Sequence, residues 1–451
     1  MKKVAIIGGG ITGLAAAFEL QEKGIECTVF EASGRVGGCI STLQKDDYLV
    51  ECGPNSILET HPDIGKLIIR LGIEGNKVAA NLTAQKRFIV RDGKPVALPT
   101  SPSAFLTSEV FSTKAKLRLL KEPFIKPLVD KQESLADFVQ RRVGKEILDY
   151  AINPFVSGVY AGDPKKLSTA HAFPKLFALE KKYGSLIKGA MKGAKERKKR
   201  AEKNVHEARM YTFDDGMEVL PLRLAEKLSY RVHLNTPVES IQMMDEGIWM
   251  VNREEFTNVI LAIPGHKMPE LNTPFDLDLF DEIEYPAVTS LSLGVDLNSI
   301  LHSLDGFGML IPEVENKFSL GALFPSSIFP ERAPGGMALL TVFVGGARAP
   351  ERALMDKDEM LVKVLDDLHE LLGINGGPEF VHTTVWPKAI PQYNVGYERF
   401  LNHMKDIETN YKGIHFAGHY RDGISVSNSI LSGLRVAELI SNHKDTKDSK
   451  S

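Results

Sequence analysis

Residues 2–38 read KKVAIIGGGITGLAAAFELQEKGIECTVFEASGRVGG, and this stretch decides the fold. Lys3 to Ile7 is a short apolar run that ends at three glycines. Leu14 to Lys23 then carries helix-forming residues up to a stop at Gly24, and Ile25 to Phe30 resumes a strand pattern. The spacing predicts a β-α-β unit of about thirty residues, in which a crossover helix joins two parallel strands. Inside it Gly8, Gly10 and Gly13 form GxGxxG directly after the strand and before the helix. Gly8 permits the tight turn, Gly10 lets backbone approach a pyrophosphate, and Gly13 allows close helix packing. The helix start, spanning Gly9, Ile11 and Thr12, offers unpaired N–H groups and a partial positive charge to phosphate oxygens. Glu31 closes the second strand 18 residues beyond Gly13 and is followed by Ala32; a carboxylate there accepts hydrogen bonds from a ribose diol.

The next residues bear on which dinucleotide is held. EASGRVGG supplies Arg35, Gly37 and Gly38, a second phosphate-directed turn with a cation beside it, followed by Cys39. A nicotinamide dehydrogenase has no particular need for this second loop, so the pattern favours FAD over NAD.

The whole chain has 451 residues, 43% hydrophobic and 25% charged, which fits a globular protein of two or three domains and excludes collagen-like, disordered and disulfide-scaffold classes. Lys plus Arg total 55 against 58 Asp plus Glu, and the net charge of -3 argues against a dedicated nucleic-acid binder. Cys27, Cys39 and Cys52 lie at no CxxC spacing, so neither a zinc site nor a disulfide framework is expected, and a reducing cytosol is the natural home. No run reaches the roughly 18 apolar residues of a membrane span, and no signal-peptide cleavage pattern follows the N-terminus.

Farther along, residues 101–207 read as a mostly helical, increasingly charged region. Its clearest amphipathic piece is SLADFVQRRVGKEILDYAI, with Ser134 as the cap. Residues 208–264 return to short strands, including Val259 to Ile263 closed by Pro264. Thr289 to Val295 and Leu339 to Phe343 suggest an antiparallel sheet across 265–380, interrupted by one helix from Met360 to Leu372. The last part holds a strand, Gly413 to Ala417, a glycine-rich turn and a helix from Ser427 to Ser441; the tail after Asn442 is polar. A helix beginning near Ser427 points its positive end at the Gly423 to Val426 turn, where it would stabilise an anionic group by roughly 0.3 to 2 kcal/mol. His415 and His419 have i, i+4 spacing but span a strand and a turn, so no metal site is expected.

GxGxxG, Glu31 and RVGG together resemble the FAD-binding opening of the flavin amine oxidase superfamily. GPNS at Gly53 to Ser56, KRF at Lys86 to Phe88, ALPT at Ala97 to Thr100 and PFVSGVYAGDPKKLS at Pro154 to Ser168 resemble the porphyrinogen oxidases within it, as do WPKAIPQYNVGY and GISVSNSILSG near the C-terminus. Within these, the motifs resemble the bacterial, Gram-positive type acting on coproporphyrinogen III. The fold so implied is α/β, α+β overall: a Rossmann-like FAD-binding domain from 1–58, 208–264 and 381–445, an inserted antiparallel-sheet substrate domain from 59–100 and 265–380, a helical domain over 101–207, and a polar tail at 446–451.

The resemblance implies roles position by position. Gly8 to Gly13 would hold the pyrophosphate, Glu31 the adenosine ribose, and Arg35 through Cys39 the phosphate and ribityl region. Gly53, Pro54, Asn55 and Ser56 would run beside the flavin. Val238, within NTPVESI, would bracket the adenine, while Trp386, Gly418, Ile424, Ser425 and Val426 would line the cofactor. Arg87 would pair with a substrate propionate through its planar fork, and Gly158 would leave room for the macrocycle. No cysteine lies near the C-terminal turn, so the FAD would be non-covalent. No catalytic base is assigned.

The implied activity is six-electron oxidation of coproporphyrinogen III to coproporphyrin III in heme biosynthesis, with O2 as acceptor and H2O2 as product. Protoporphyrinogen IX oxidation, amine oxidation, carotenoid desaturation and a non-catalytic escort role stay open as alternatives. Residues 181–203 carry ten Lys or Arg against two Glu. They suggest a solvated segment, or electrostatic attraction of propionates or of an anionic membrane. The expected setting is the cytoplasm, with peripheral membrane contact and a heme-pathway partner enzyme as further expectations.

Overall fold

The computed structural model describes residues 2–128, 132–200, 209–228, 231–245 and 247–442. The opening stretch forms strand Lys3–Ile7, helix Ile11–Glu22 and strand Glu26–Phe30. These strands belong to a five-stranded parallel sheet in the order Val232–His233, Glu26–Phe30, Lys3–Ile7, Asn258–Leu261, Ile414–Phe416. Both faces of the sheet are covered, which is why its central strand reads as an unbroken apolar run. Val4 and Ile6 face a core shared with the helices Ile11–Glu22, Pro62–Leu71, Val219–Leu228 and Val426–Asn442. Ala5 and Ile7 face the other core, which holds Trp249, Val251 and Phe256 of a three-stranded antiparallel meander.

A second sheet has seven strands, in the order Phe380–Trp386, Val288–Asp296, Met337–Gly345, Gly321–Leu323, Gly306–Leu310, Lys86–Arg91, Lys94–Ala97. Its core lies under the helix Lys357–Leu372, where Met360, Val364, Leu368 and Leu372 meet Leu291, Leu293 and Val342. The molecule is thus α/β, with a Rossmann-like parallel sheet and a large second sheet built from inserted segments.

The second sheet is mixed rather than wholly antiparallel, because Lys86–Arg91 and Gly306–Leu310 run parallel. More than two hundred residues separate these strands, so the long crossover that a parallel pair requires is available. The expected domain edge at 380/381 falls inside strand Phe380–Trp386, all seven residues of which pair with Val288–Gly294. Residues 62–71, expected with the substrate sheet, bury Ile64, Leu67, Ile68 and Leu71 in the core of the parallel sheet instead.

Ser134 caps the helix Leu135–Arg142, its hydroxyl accepting from the Asp137 N–H at 3.1 Å. The single amphipathic helix expected from there on is broken at Gly144, whose φ is +98°. A π-type turn, Leu148–Ile152, then leads into the helix Asn153–Tyr160. Pro154 lacks an N–H and its ring crowds the preceding turn, which accounts for the widened turn before it. The basic stretch falls on two helices, Pro174–Tyr183 and Leu186–Arg200, and its residues 201–203 lie outside the described residues. Residues 208–264, read as strands, also contain the helix Val219–Leu228, whose buried Leu220, Leu224 and Leu228 recur at helical spacing.

Candidate functional site

Because the strands Lys3–Ile7, Glu26–Phe30, Asn258–Leu261 and Ile414–Phe416 are parallel, the residues that follow them gather at one edge of the sheet. Gly8, Glu31, Ala262 and Gly418 therefore lie at the carboxyl ends, the edge at which open α/β sheets bind ligands. Gly8 has φ +109°, and a Cβ there would sit 2.8 Å from the Ala262 carbonyl oxygen. A Cβ on Gly13 would sit 2.0 Å from the Gly8 carbonyl oxygen, so only glycine lets the helix start so close to the strand. At Gly10 a Cβ would meet nothing within 4 Å. Gly10 is also the N-cap of helix Ile11–Glu22 and has no side chain to satisfy the first N–H groups of Ile11, Thr12 and Gly13. An uncapped 12-residue helix beside open space is an anion site in waiting.

Glu31 stands next to it. Its carboxylate accepts from the Gly9 N–H at 2.7 Å and from the Ser33 N–H and hydroxyl at 2.8 and 2.7 Å. The Glu31 carbonyl accepts from Thr236 N–H at 2.9 Å, which lays the segment leading to Val238 alongside Glu31 and Ala32. The second glycine turn packs on the first: Gly37 N–H donates to the Gly9 carbonyl at 2.9 Å, and a Cβ on Gly38 would sit 3.4 Å from the Gly10 Cα. The Arg35 guanidinium braces its own loop, donating to the carbonyls of Val36, Gly38 and Ile40 at 3.2, 2.6 and 3.1 Å.

Gly53 is set against that loop, since a Cβ there would lie 2.0 Å from the Cys39 carbonyl oxygen; the Cys39 side chain itself is exposed. Pro54, Asn55 and Ser56 follow as a half-buried segment. Trp386, at the end of its strand, donates from Nε1 to the Cys52 carbonyl at 3.0 Å and so ties the seven-stranded sheet to this segment. From the C-terminal side, Ser425 caps the helix Val426–Asn442 by accepting from Asn428 N–H at 3.1 Å. Ile424 packs against the core that holds Trp249, and Val426 against the core under the helices.

The two residues expected to meet substrate, Arg87 on strand Lys86–Arg91 and Gly158 on helix Asn153–Tyr160, both pack against strand Gly306–Leu310. Arg87 is exposed, stacks on Phe307 at 5.3 Å and makes no ion pair with a described residue. A Cβ on Gly158 would sit 2.5 Å from Leu310 Cδ2, so the space beside Gly158 is occupied by leucine rather than open. His415 bonds Asn258 Oδ1 at 3.0 Å while His419 lies 3.4 Å from the Tyr285 hydroxyl, so the pair does not converge, and no metal-binding cluster occurs among the described residues. Burial holds His419 and His266 down at about 4, so both rings are neutral at ordinary pH.

Two networks, one buried and one partly buried, had no signal in the sequence, because their members are far apart along the chain. Glu51 pairs with Arg332 at 3.1 Å, and burial pushes the Glu51 carboxyl upward against the pull of that guanidinium. Arg348 donates to Asn153 Oδ1 at 3.0 Å and Ser157 Oγ at 2.7 Å, clamping the helix Asn153–Tyr160 to the second sheet.

The sequence matches the family described as flavin containing amine oxidoreductase over residues 11–441. The chain belongs to that family. As a family member it is an oxidoreductase and a flavoprotein, and the open, uncapped helix start, the Glu31 carboxylate and the second glycine turn fit a flavin nucleotide. Among its relatives, protoporphyrinogen oxidase 2 of Arabidopsis thaliana is 36% identical over 99% of this chain and 97% of its own length. The coproporphyrinogen III oxidase of Bacillus subtilis is 30% identical over 96% of both chains. A crystal structure from an Exiguobacterium species superposes with a TM-score of 0.82 at 23% identity, over 98% of this family member and 99% of that chain, which shows the shared fold.

Proposed function

We propose that the protein is an FAD-dependent porphyrinogen oxidase that removes six electrons and six hydrogens from a reduced tetrapyrrole, with dioxygen as acceptor and hydrogen peroxide as product. The observation that carries this reading is the end-to-end match, over 96–99% of the chain, to relatives named for porphyrinogen oxidation. Bound FAD supplies the two-electron acceptor chemistry and the return of electrons to dioxygen. The chain itself contributes placement. Gly8 to Gly13 and the helix dipole would hold the pyrophosphate, Glu31 the adenosine ribose, Val238 the adenine, and Gly37 to Cys39 with Gly53 to Ser56 the middle of the cofactor. Trp386, Gly418 and Ile424 to Val426 would border the ring. The Arg87 guanidinium, exposed and without an ion-pair partner among the described residues, would take a propionate.

The motifs put coproporphyrinogen III first as substrate. A specific observation favours protoporphyrinogen IX as the second reading: relatives with that name reach 36% and 35% identity, against 30% and 28% for those named for coproporphyrinogen III. Rates with the two porphyrinogens in air, followed by porphyrin fluorescence, decide the substrate. A yellow, FAD-loaded protein that oxidises neither would overturn the activity.

Peripheral contact with an anionic membrane is the second element of the proposal. Leu106, Leu117, Leu120 and Phe124 are 69, 59, 67 and 85% exposed within one short helical region, beside the exposed Lys114, Lys121 and Lys126. The basic helix Leu186–Arg200 is tied to this region by Lys188 Nζ, which donates to the Pro123 carbonyl at 3.1 Å. No helix among the described residues is long and apolar enough to cross a membrane. Sedimentation with phosphatidylglycerol vesicles tests it: salt-sensitive binding that fails with phosphatidylcholine supports the contact, and no binding to either excludes it.

A further inference from the structure

Gln392, Tyr393 and Asn394 join two parts of the molecule that are distant in sequence. Towards the helical region, the Gln392 amide donates to the Tyr160 carbonyl at 2.8 Å, the Tyr393 carbonyl accepts from Ser168 N–H at 2.8 Å, and Asn394 forms a bridge with Leu167. Val395 N–H adds a bond to the Lys166 carbonyl at 2.9 Å. Towards the C-terminal turn, the Tyr393 hydroxyl donates to the His419 carbonyl at 2.5 Å and accepts from Gly423 N–H at 2.9 Å. One hydroxyl thus joins both ends of the short helix His419–Asp422, between Gly418 and the turn that opens the last helix. The ring is 4% exposed and packs at a 37° tilt on Tyr397 with centroids 4.3 Å apart, so packing leaves the hydroxyl little choice of partner. Gly423 has φ +114°, and a Cβ there would clash with the Asn428 amide at 2.0 Å. The turn therefore has a single shape to hold.

We propose that Tyr393 is a positioning residue: its carbonyl holds Ser168, at the end of a segment that its neighbours Gln392, Asn394 and Val395 also bind, its hydroxyl holds the stretch His419–Gly423, and together these contacts set the flavin environment. This rests on the reading that the flavin ring borders that turn. Tyr393→Phe keeps the ring and its contact with Tyr397 and removes only the two side-chain hydrogen bonds. With FAD as the probe, the variant should bind about five- to tenfold more weakly, on the scale of one or two lost hydrogen bonds. At full FAD occupancy its reduction potential should move and kcat should fall while KM for the porphyrinogen stays within twofold. Tyr411→Phe, which loses a hydroxyl bond to the Pro274 carbonyl and none to the turn, should change none of these.

Unchanged FAD affinity and an unchanged potential in Tyr393→Phe would overturn the proposal. Failure of the native chain to bind FAD would instead overturn the flavin reading beneath it. Should Tyr393→Phe not fold, 3-fluorotyrosine at position 393 retains both bonds but alters their strength. A potential identical to that of the native protein would then count against the role.

Discussion

Gly433 lies so close to Thr12 that a Cβ on it would stand 2.3 Å from the Thr12 carbonyl oxygen and 3.0 Å from the Ala16 nitrogen. The last helix of the chain thus packs backbone to backbone on the first, and helix Ile11–Glu22 is held between the parallel sheet and residues more than four hundred positions later. Gly433→Ala must separate the two helices, at a cost of about 1–3 kcal/mol. Urea denaturation of the apoprotein reads that loss directly, and a midpoint equal to the native value would show that the contact can relax.

The two glycines flanking the helix start should behave oppositely. Gly10 has φ -72° and open space where a Cβ would go, whereas a Cβ on Gly13 would meet the Gly8 carbonyl. Gly10→Ala should leave the apoprotein as stable as before and weaken FAD binding by about tenfold or more, because the methyl occupies the approach to the pyrophosphate. Gly13→Ala should destabilise the apoprotein itself. Calorimetric titration with FAD beside thermal unfolding separates the two cases; equal FAD affinity in Gly10→Ala would show that no phosphate approaches there.

Arg87 has no anionic partner among the described residues, so its removal should cost the fold little. Arg87→Ala should raise KM for the porphyrinogen about ten- to a hundredfold, the size of a lost charge-assisted hydrogen bond, with FAD content unchanged. Lost FAD with a normal KM would place this side chain elsewhere.

Burial pushes His266 and His419 down to about 4 in the folded chain, against about 6.5 when unfolded. The folded state thus disfavours their protonation. The stability this neutrality provides is complete above about pH 6.5 and is lost as pH falls towards about 4. The unfolding temperature should drop steadily between pH 7 and pH 4.5, and less steeply in His419→Gln. A native profile flat over that window would mean that neither ring is held neutral.

Arg142 is fully buried and pairs with Glu122 at 3.2 Å and, through Nε, with Glu180 at 2.6 Å. Glu122 also accepts from the N–H groups of Leu186 and Ile187 at 2.8 and 3.2 Å, anchoring the start of the basic helix. Arg142→Leu takes the guanidinium from the buried Glu122, while Glu180 keeps its pair with Arg141 at 2.9 Å, and should destabilise the helical region by about 3–5 kcal/mol. Limited proteolysis should then cut near residue 186 sooner than in the native protein, and an unaltered digestion rate would contradict this.

The local geometry of the candidate site was legible because its requirements are local. Gly8, Gly13 and Glu31 are specified by one strand, one turn and one helix, and their spacing is visible in a short stretch. Gly158 was read less well, since nothing along the chain shows that Leu310 fills the space beside it. The break at Gly144 was also missed: the apolar spacing of SLADFVQRRVGKEILDYAI continues through it, while the positive φ that interrupts the helix leaves no periodic trace.

The amino-acid order alone determined the parallel sheet's nucleus, the glycine turns and the acidic strand end, because hydrophobic period, caps and glycine φ act over a few residues. Only the tertiary structure decided that Lys86–Arg91 pairs in parallel with Gly306–Leu310, that Gly433 meets Thr12 and that the Tyr393 hydroxyl joins His419 to Gly423. Such contacts depend on close packing and on satisfying buried polar groups between segments far apart in the chain, and no single segment's composition encodes its partner.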